Sequence, residues 1–584
     1  MSSRSYAEEM KAVIKGLDGI PTLLLHACCA PCSTVALEKL APYFDITLFY
    51  YNPNIESEEE YLHRASELER LVREMDLPRE VHTVIAPFES GSYREAVKGL
   101  EFEKEGGKRC EACFRLRLRE TAAYASKHGF SFFSTTLTTG PMKNADLINS
   151  IGSSLESEFG VRFLQADLKK EGGFQRSLEL SKKYRLYRQN YCGCMFSRDE
   201  VMKKRMIDEL AKRERVFALI DTSKFRENVK YLIGELHPGS QAYLVLKANG
   251  YGHGAVDLMK AGEDIPGVYG AAVATIDEAI EMRSVTEKPI LILAPIPEER
   301  VYEAVKNDVS LTVFTELQAE IVSEAAVKQR KTAKIHIKVD TGMNRIGLTP
   351  DEDGKSLIRT LKSFPGLAFD GIFTHLATMD EEDPKDALLQ ADRFYAFVRS
   401  LKEEGIVFSH VHIANSAASY RKGGFDFSDL SRLGISMYGV APSGASAFRD
   451  LKILPVMSVY ATVSHVKTIP EGSAVGYGGT FVAKAPTRVA TVTAGYADGY
   501  FRSLSNRGEV VIRNTRCRIL GRVCMDQFMV DVSGLKAVKP GDPVLLFGGE
   551  GENALPVSIV AEWAGTIPHE IMTNVSKRVK RIVI

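Results

Sequence analysis

From residue 242 to about residue 446, short apolar runs recur at intervals set by helical stretches, and this alternation limits the chain more than any other feature. Strand-like segments at 242–246, 268–274, 290–293, 334–339, 371–375 and 411–414 are separated by stretches with apolar spacing near 3.6. Repeated over about 230 residues from Val216, the pattern predicts an eight-fold (β/α)8 TIM-type barrel. After about residue 447 the texture changes to Val-, Thr- and Gly-rich strand segments, which predicts a C-terminal β domain. The first two hundred residues alternate as well, with strands expected at 22–27, 46–51 and 130–135 and helices at 58–75 and 114–127. That order predicts a Rossmann-like α/β domain around a parallel sheet. The expected domains are therefore 1–208, 209–446 and 447–584. A chain of 584 residues exceeds what one hydrophobic core serves, so several domains are required. The charged stretch 198–216 carries an apolar stripe and is expected to be a docked helix, since a flexible linker would be richer in Gly, Ser or Pro.

Charge restricts little: Lys+Arg and Asp+Glu both number 75, so no global field favours or excludes nucleic acid. No apolar run approaches the roughly 18 residues of a membrane span. The first nineteen residues lack a signal-peptide core, so a cytoplasmic protein without membrane contact is expected.

Cysteine divides the chain. Seven of the nine precede residue 195, in three clusters: Cys28, Cys29 and Cys32; Cys110 and Cys113; Cys192 and Cys194. In a large chain expected in a reducing compartment, such clusters point to a metal or redox site rather than to disulfides. The first cluster follows the first buried strand, where an α/β sheet offers a ligand site. The second opens a helix. An iron–sulfur cluster needs four soft thiolates and zinc accepts the same number, so seven exceed either need and favour added redox or metal chemistry. Arg109, Arg115, Arg117 and Arg119 flank the second cluster, and Lys182, Lys183, Arg185 and Arg188 the third. These could meet the phosphates of a nucleic acid, or simply be solvated.

In the other half, Lys247 lies in Val245-Leu246-Lys247-Ala248-Asn249-Gly250-Tyr251-Gly252-His253-Gly254, directly after a strand. Read alone it is a solvated loop lysine. At the end of a barrel strand, a drier site would lower its pKa and make the amine nucleophilic. The segment resembles the cofactor-lysine motif of alanine racemases, a pyridoxal-phosphate-dependent family whose fold-type III barrel is followed by a β domain. The resemblance continues through 339–347 (Val-Asp-Thr-Gly-Met-Asn-Arg-Ile-Gly), 374–378, Ala414-Asn415-Ser416, 431–435, Gly476-Tyr477-Gly478, 495–499 and Cys524-Met525-Asp526-Gln527.

The resemblance implies roles. Lys247 would hold the cofactor and exchange a proton on one face of the substrate α-carbon, and Tyr477 would do so on the other. A tyrosine ordinarily titrates near pH 10, so the cations Arg345 and Arg432 would have to favour its phenolate, with His375 as a hydrogen-bonding bridge. Arg432 would face the pyridine nitrogen. Arginine keeps its proton, so it weakens the cofactor as an electron sink and suits simple proton exchange. Tyr251, Ser416, Gly434 and Ile435 would contact the phosphate, and Arg345 with the backbone of Met525 the substrate carboxylate. Lys338 matches a lysine often carbamylated in the family, although a plain salt bridge would also suit it. His253 and His412 are expected to pack and orient.

Asn344 stands where a glycine is usual, Gly476 where a serine is common, and Lys577 where many relatives carry a tyrosine reaching the phosphate. The implied activity is racemisation of L-alanine to D-alanine, a cell-wall precursor, in a homodimer whose sites combine both chains. Serine or broad-specificity racemisation, a decarboxylase, or a binding protein keeping only the lysine are the alternatives.

The three cysteine clusters, with Tyr187-Arg188-Gln189-Asn190-Tyr191 before Cys192, resemble cobalamin-independent epoxyqueuosine reductases, which complete queuosine in tRNA. That resemblance implies a 4Fe-4S cluster on Cys28, Cys29, Cys110 and Cys113. Cys32, Cys192 and Cys194 would bind an additional iron or cycle as redox thiols. A zinc-dependent tRNA-binding or thiolation module is the alternative. Nothing links the two chemistries, so two independent enzymes are expected on one chain.

Overall fold

The computed structural model describes residues 5–101, 103, 105–421, 425 and 427–584. The chain divides into two compact units, 1–206 and 207–584, and the boundary falls within the helix Met195–Leu210 that the charged stretch forms.

The first unit is built on five parallel strands, β1 (Thr22–His26), β2 (Asp45–Tyr50), β3 (His82–Ile85), β4 (Phe132–Thr135) and β5 (Arg162–Phe163), in the order β3-β2-β1-β4-β5. Apolar clusters cover both faces: Leu23, Leu25, Ile46 and Leu48 belong to one, Leu24, Phe49 and Phe133 to the other. Alternate residues of one strand thus serve opposite faces, as buried parallel strands require. Strand order reverses between β1 and β4, so the crevice for a ligand opens beyond their C-terminal ends. That is where Cys28 lies, its N–H donating to Thr136 Oγ1 at 3.1 Å.

The second unit opens with β6 (Val216–Ile220) and continues into a closed barrel of eight parallel strands. These are β7 (Gln241–Val245), β8 (Val268–Val273), β9 (Ile290–Ile292), β10 (Ser310–Val313), β11 (Ala333–Lys338), β12 (Leu367–Phe373), β13 (His410–His412) and β14 (Leu430–Leu433). The barrel was expected from six of these strands. β10 and β14 lacked a signal because four residues with Ser310, or with Ser431 and Arg432, do not form an apolar run.

Strands β15 (Met457–Ile469), β16 (Ala474–Val475), β17 (Phe481–Val482), β18 (Thr487–Val492), β19 (Glu509–Ile512), β20 (Thr515–Leu520), β21 (Phe528–Asp531), β22 (Pro543–Phe547) and β23 (Lys580–Val583) follow. Seven of them join β6 in one sheet, in the order β18-β21-β20-β19-β22-β15-β6-β23. Residues 216–220 therefore belong to the β part, paired with β15 and β23, although they precede the barrel in sequence. A single apolar core runs through barrel and sheet. Among the described residues no helix is long and apolar enough to cross a membrane.

Candidate functional site

A cavity of about 700 Å³ opens at the C-terminal ends of the barrel strands, where barrel enzymes carry their chemistry. Lys247, Tyr251, Arg345, His375, Ser416, Arg432, Gly434 and Ile435 all line it. Lys247 follows β7 and begins a turn whose next residues are left-handed: φ is +52° at Ala248, +53° at Asn249, +60° at Gly250 and +51° at Tyr251. Each non-glycine residue held there costs about 1–2 kcal/mol, so the turn needs bonds from outside. Glu278 supplies one, accepting from Ala248 N at 2.6 Å. Ala255 supplies another, its N–H donating to Asn249 Oδ1 at 3.0 Å. His253 is fully buried beneath, its Nδ1 3.0 Å from the carbonyls of Gly250 and Tyr251. It packs and orients.

Burial lowers the Lys247 pKa, and the Arg345 guanidinium lowers it further against the pull of Glu278. His375 is held well below its ordinary value by burial and by Arg432 and Arg345, so its ring is neutral. Arg432 is 4% exposed, and its Nη2 donates to the carbonyls of Thr374 (2.8 Å) and Ile413 (3.1 Å). Burial brings its pKa down to about 9, which leaves the guanidinium charged at neutral pH.

Beyond the end of β14, which pairs with β7, Gly434 N donates to Ser416 Oγ at 2.8 Å. A Cβ on Gly434 would stand 3.1 Å from Tyr251 Oη and 3.5 Å from Ser416 Oγ, so a side chain there would crowd both hydroxyls. Ile435 opens a short helical turn, whose leading N–H groups have no partner within the turn. Two hydroxyls and leading amides form a cradle for a phosphate, and an amine of lowered pKa faces the same cavity. This donor set fits pyridoxal phosphate.

The loop carrying Arg345 is shaped by Asp340, whose Oδ1 accepts from Gly342 N and Asn344 N at 3.0 Å each. Asn344 has φ +56°, a conformation asparagine tolerates, which explains how it stands where glycine is usual. Gly476 likewise has φ +71°, where a serine would be strained. Lys338 is 3% exposed, and its Nζ donates to Val339 O at 2.7 Å. Among the described residues it makes no salt bridge, so that reading is set aside.

Three residues fall elsewhere. Tyr477 and Met525 do not line the cavity; they are exposed in the β part, at 72% and 54%. Lys577 is also exposed. The residues near the C-terminus that do reach the cavity are His569 and Thr573, on the helix Pro568–Thr573, with the His569 ring 5.6 Å from that of Tyr251. Sequence reading missed His569, Glu278 and Gln390. Gln390 Oε1 accepts from Ala377 N at 2.9 Å and its Nε2 lies 3.4 Å from Thr341 Oγ1, tying the His375 loop to the Arg345 loop. A buried glutamine at a helical core position was its only signal.

In the first unit all seven cysteines are free thiols. The sulfurs of Cys28, Cys29 and Cys32 lie within 4.8 Å of one another. Cys110, Cys113, Cys192 and Cys194 line a second small pocket together. The structure thus groups Cys32 with Cys28 and Cys29, and Cys192 and Cys194 with Cys110 and Cys113, a division different from the expected one. Its cause is local: Cys32 sits one turn into the helix that Cys29 caps, so it cannot leave its neighbours. Arg117 faces both groups, 1% exposed, with its charge felt by Cys28, Cys113 and Cys192. Cys29 and Cys32 hold Cys28 well below an ordinary thiol pKa, and Arg117 adds to this. Burial raises Cys113 to about 12. Buried and half-buried free thiols around a buried guanidinium suit an anionic metal–thiolate centre.

Arg109 is also buried, at 3%, because 109, 113 and 117 share the inward face of the helix Lys108–Lys127. Of the four arginines expected to meet phosphate, only Arg115 and Arg119 are outside, paired with Glu111 and Glu158. Lys182, Lys183, Arg185 and Arg188 are all exposed.

Comparison with known proteins follows the same division. The sequence model for epoxyqueuosine reductase QueH matches residues 23–200, and those for the alanine racemase N- and C-terminal domains match 220–442 and 456–583. The alanine racemase of Desulforamulus reducens is 40% identical over 373 residues, 64% of this chain and 100% of that protein. Alanine racemase 2 of Caldanaerobacter subterraneus is 38% identical over 382 residues, 65% of this chain and 96% of that one. Among solved structures, alanine racemase from E. faecalis matches with 37% identity and a TM-score of 0.58, covering 64% of this chain and 98% of that one. The Bacillus anthracis alanine racemase with bound L-Ala-P matches with 35% identity and a TM-score of 0.59, covering 64% and 95%.

Proposed function

The chain belongs to the alanine racemase family, and on that premise we propose that residues 209–584 interconvert L- and D-alanine with pyridoxal phosphate, while residues 1–208 reduce epoxyqueuosine in tRNA. The observation that carries the first reading is Lys247, set by a left-handed turn into a cavity that also holds the hydroxyl cradle and Arg432.

Tyr251, Ser416 and the amides at Gly434 and Ile435 would hold the phosphate, and Arg432 the ring nitrogen. When bound, the cofactor withdraws electrons and so acidifies the substrate α-hydrogen. Lys247 Nζ, with its lowered pKa, is then a fitting base on one face. Arg345, with the backbone of Met525, would bind the carboxylate. Inversion needs a second base opposite, which is the role of Tyr477 Oη, with His375 passing hydrogen bonds between it and the arginines. Tyr477 and Met525 lie outside the cavity of their own chain, so both would come from a second copy. A two-fold homodimer then holds two equivalent composite sites. The D-alanine formed would supply cell-wall precursors in the cytoplasm. Incubating the protein with L-alanine in deuterated water tests this: α-deuterated D-alanine without loss of carbon dioxide supports the racemase, and release of carbon dioxide supports a decarboxylase.

For the first unit, Cys28 and Cys29 of one group with Cys110 and Cys113 of the other would hold a 4Fe-4S cluster bridging both, leaving Cys32, Cys192 and Cys194 for an additional iron or for thiol chemistry. Removing the epoxide oxygen as water takes two electrons and two protons, which the oxidation of two thiols to a disulfide supplies. The exposed Lys182, Lys183, Arg185 and Arg188 would meet tRNA phosphates. The close approach of the Cys28, Cys29 and Cys32 sulfurs, within 4.8 Å of one another, favours a second reading, in which these thiols bind one metal ion such as zinc. Iron and acid-labile sulfide in anaerobically purified protein support the cluster. Zinc without sulfide supports the second reading.

A further inference from the structure

Below the cavity, the apolar interior of the barrel is crossed by a file of polar groups. Arg432 Nη1 is 2.9 Å from His412 Nδ1, His412 Nε2 is 2.9 Å from His336 Nδ1, and His336 Nε2 is 3.3 Å from Asp370 Oδ2. Both imidazoles are fully buried, and the Asp370 side chain is 17% exposed. His412 is also clamped from the side, stacked on Phe373 at 4.8 Å between ring centres and 7° between planes.

The direction of every link follows from Arg432. A guanidinium can only donate, so His412 Nδ1 must accept. Burial lowers the pKa of both rings, that of His412 well below its ordinary value, against the pull of Asp370 on His336. A neutral His412 with a bare Nδ1 carries its proton on Nε2 and donates it to His336 Nδ1. His336 then carries its own proton on Nε2, aimed at Asp370. One proton arrangement fits the file, with each donor pointing from Arg432 toward Asp370. The last link falls short of a well-formed hydrogen bond and is mainly electrostatic. Asp370 is free to serve it, because the other nearby imidazole, His410, is paired with Asp429 at 2.8 Å.

Arg432 needs such a partner. Its hydrogen-bonding partners among the described residues are carbonyls and imidazoles, so no carboxylate touches this buried cation. In a medium of low dielectric, aligned hydrogen bonds polarise one another and carry the influence of a terminal charge farther than water would allow.

We propose that Asp370 is a positioning residue for racemisation, acting through His336 and His412 to fix the orientation and charge of Arg432 where it meets the cofactor ring. The proposal rests on the racemase reading of the barrel, whereas the proton directions do not. Nitrogen-15 NMR of the full chain labelled at histidine reads those directions without activity. His336→Gln and His412→Gln assign the two rings. The expected result is a bare Nδ1 and a protonated Nε2 on both. In Asp370→Asn, the His336 and His412 signals should both move and the visible absorption of the loaded protein should shift. Its kcat for alanine should fall about tenfold with KM nearly unchanged, and Asp370→Glu should recover most of it. Either ring protonated on Nδ1 in the unaltered protein would overturn the proposal, whether or not the variants fold. So would an Asp370→Asn protein whose His412 signal and absorption stay in place. Correct proton positions in a protein that does not racemise alanine would instead overturn the racemase reading.

Discussion

Glu278 holds the turn that follows Lys247: one carboxylate oxygen accepts from Ala248 N at 2.6 Å. The other accepts from Ala274 N at 2.8 Å and Thr275 N at 3.2 Å, at the start of the helix Ile276–Arg283. One side chain thus caps a helix and restrains a strained left-handed turn. Glu278→Ala should lower stability by about 2–3 kcal/mol in denaturant unfolding. It should also weaken pyridoxal phosphate binding, measured by equilibrium dialysis, because the lysine loses its fixed presentation. Unchanged cofactor affinity would mean that the turn holds itself.

Lys338 makes a second prediction, in which the sign matters. Burial, aided by Arg432, holds its pKa at about 8 in the folded chain, below the ordinary 10.5. The folded state thus disfavours the charged amine, and the full penalty applies below about pH 8. It fades as pH rises toward 10.5, where the unfolded chain loses its proton too. Lys338→Met should therefore exceed the unaltered protein in stability at pH 6, by an amount on the order of 2 kcal/mol, with the gap narrowing above pH 8. An amine so readily deprotonated, under the influence of the Arg432 and Arg345 guanidinium groups, also suits capture of carbon dioxide as an anionic carbamate. Bicarbonate should then stabilise the unaltered protein and leave Lys338→Met unmoved.

The thiol centre gives a third. Cys110→Ser with Cys113→Ser removes two of the four ligands proposed for the cluster, so cluster iron and epoxyqueuosine reduction should be lost while alanine racemisation persists. Normal iron and sulfide in that double variant would show that both cysteines only pack. Lys182→Glu with Lys183→Glu should weaken tRNA binding and flatten its salt dependence, since each lost phosphate contact releases fewer counterions.

Much of the architecture was legible because buried parallel strands are written as apolar runs, and Leu23, Leu24 and Leu25 could hardly lie elsewhere. The lysine, the phosphate cradle and the arginines were legible as motifs, since a left-handed turn selects its residues and a cradle such as that at Gly434 excludes a side chain. What the sequence hid depends on distant contacts. Strand β6 reads like the start of the barrel and pairs with β15 over two hundred residues away. The inward turn of Arg109 and Arg117 was available from helical period alone, yet a run of alternating arginines looks like a basic surface. His569 carries no local mark. Only the packing of the helix Pro568–Thr573 beside Tyr251 brings it to the cavity.

Lys247 lines the cavity while Tyr477 stands exposed, and the account requires that two copies join them into one site. The most direct measurement mixes Lys247→Ala protein with Tyr477→Phe protein, dissociates both and lets them reassociate. Each homodimer lacks one base at every site, and a mixed dimer has one doubly altered site and one intact one. Random pairing makes about half of the dimers mixed, so about a quarter of all sites should regain racemisation. Recovery near that fraction is the predicted result. No recovery, with subunit exchange verified, would contradict the shared site.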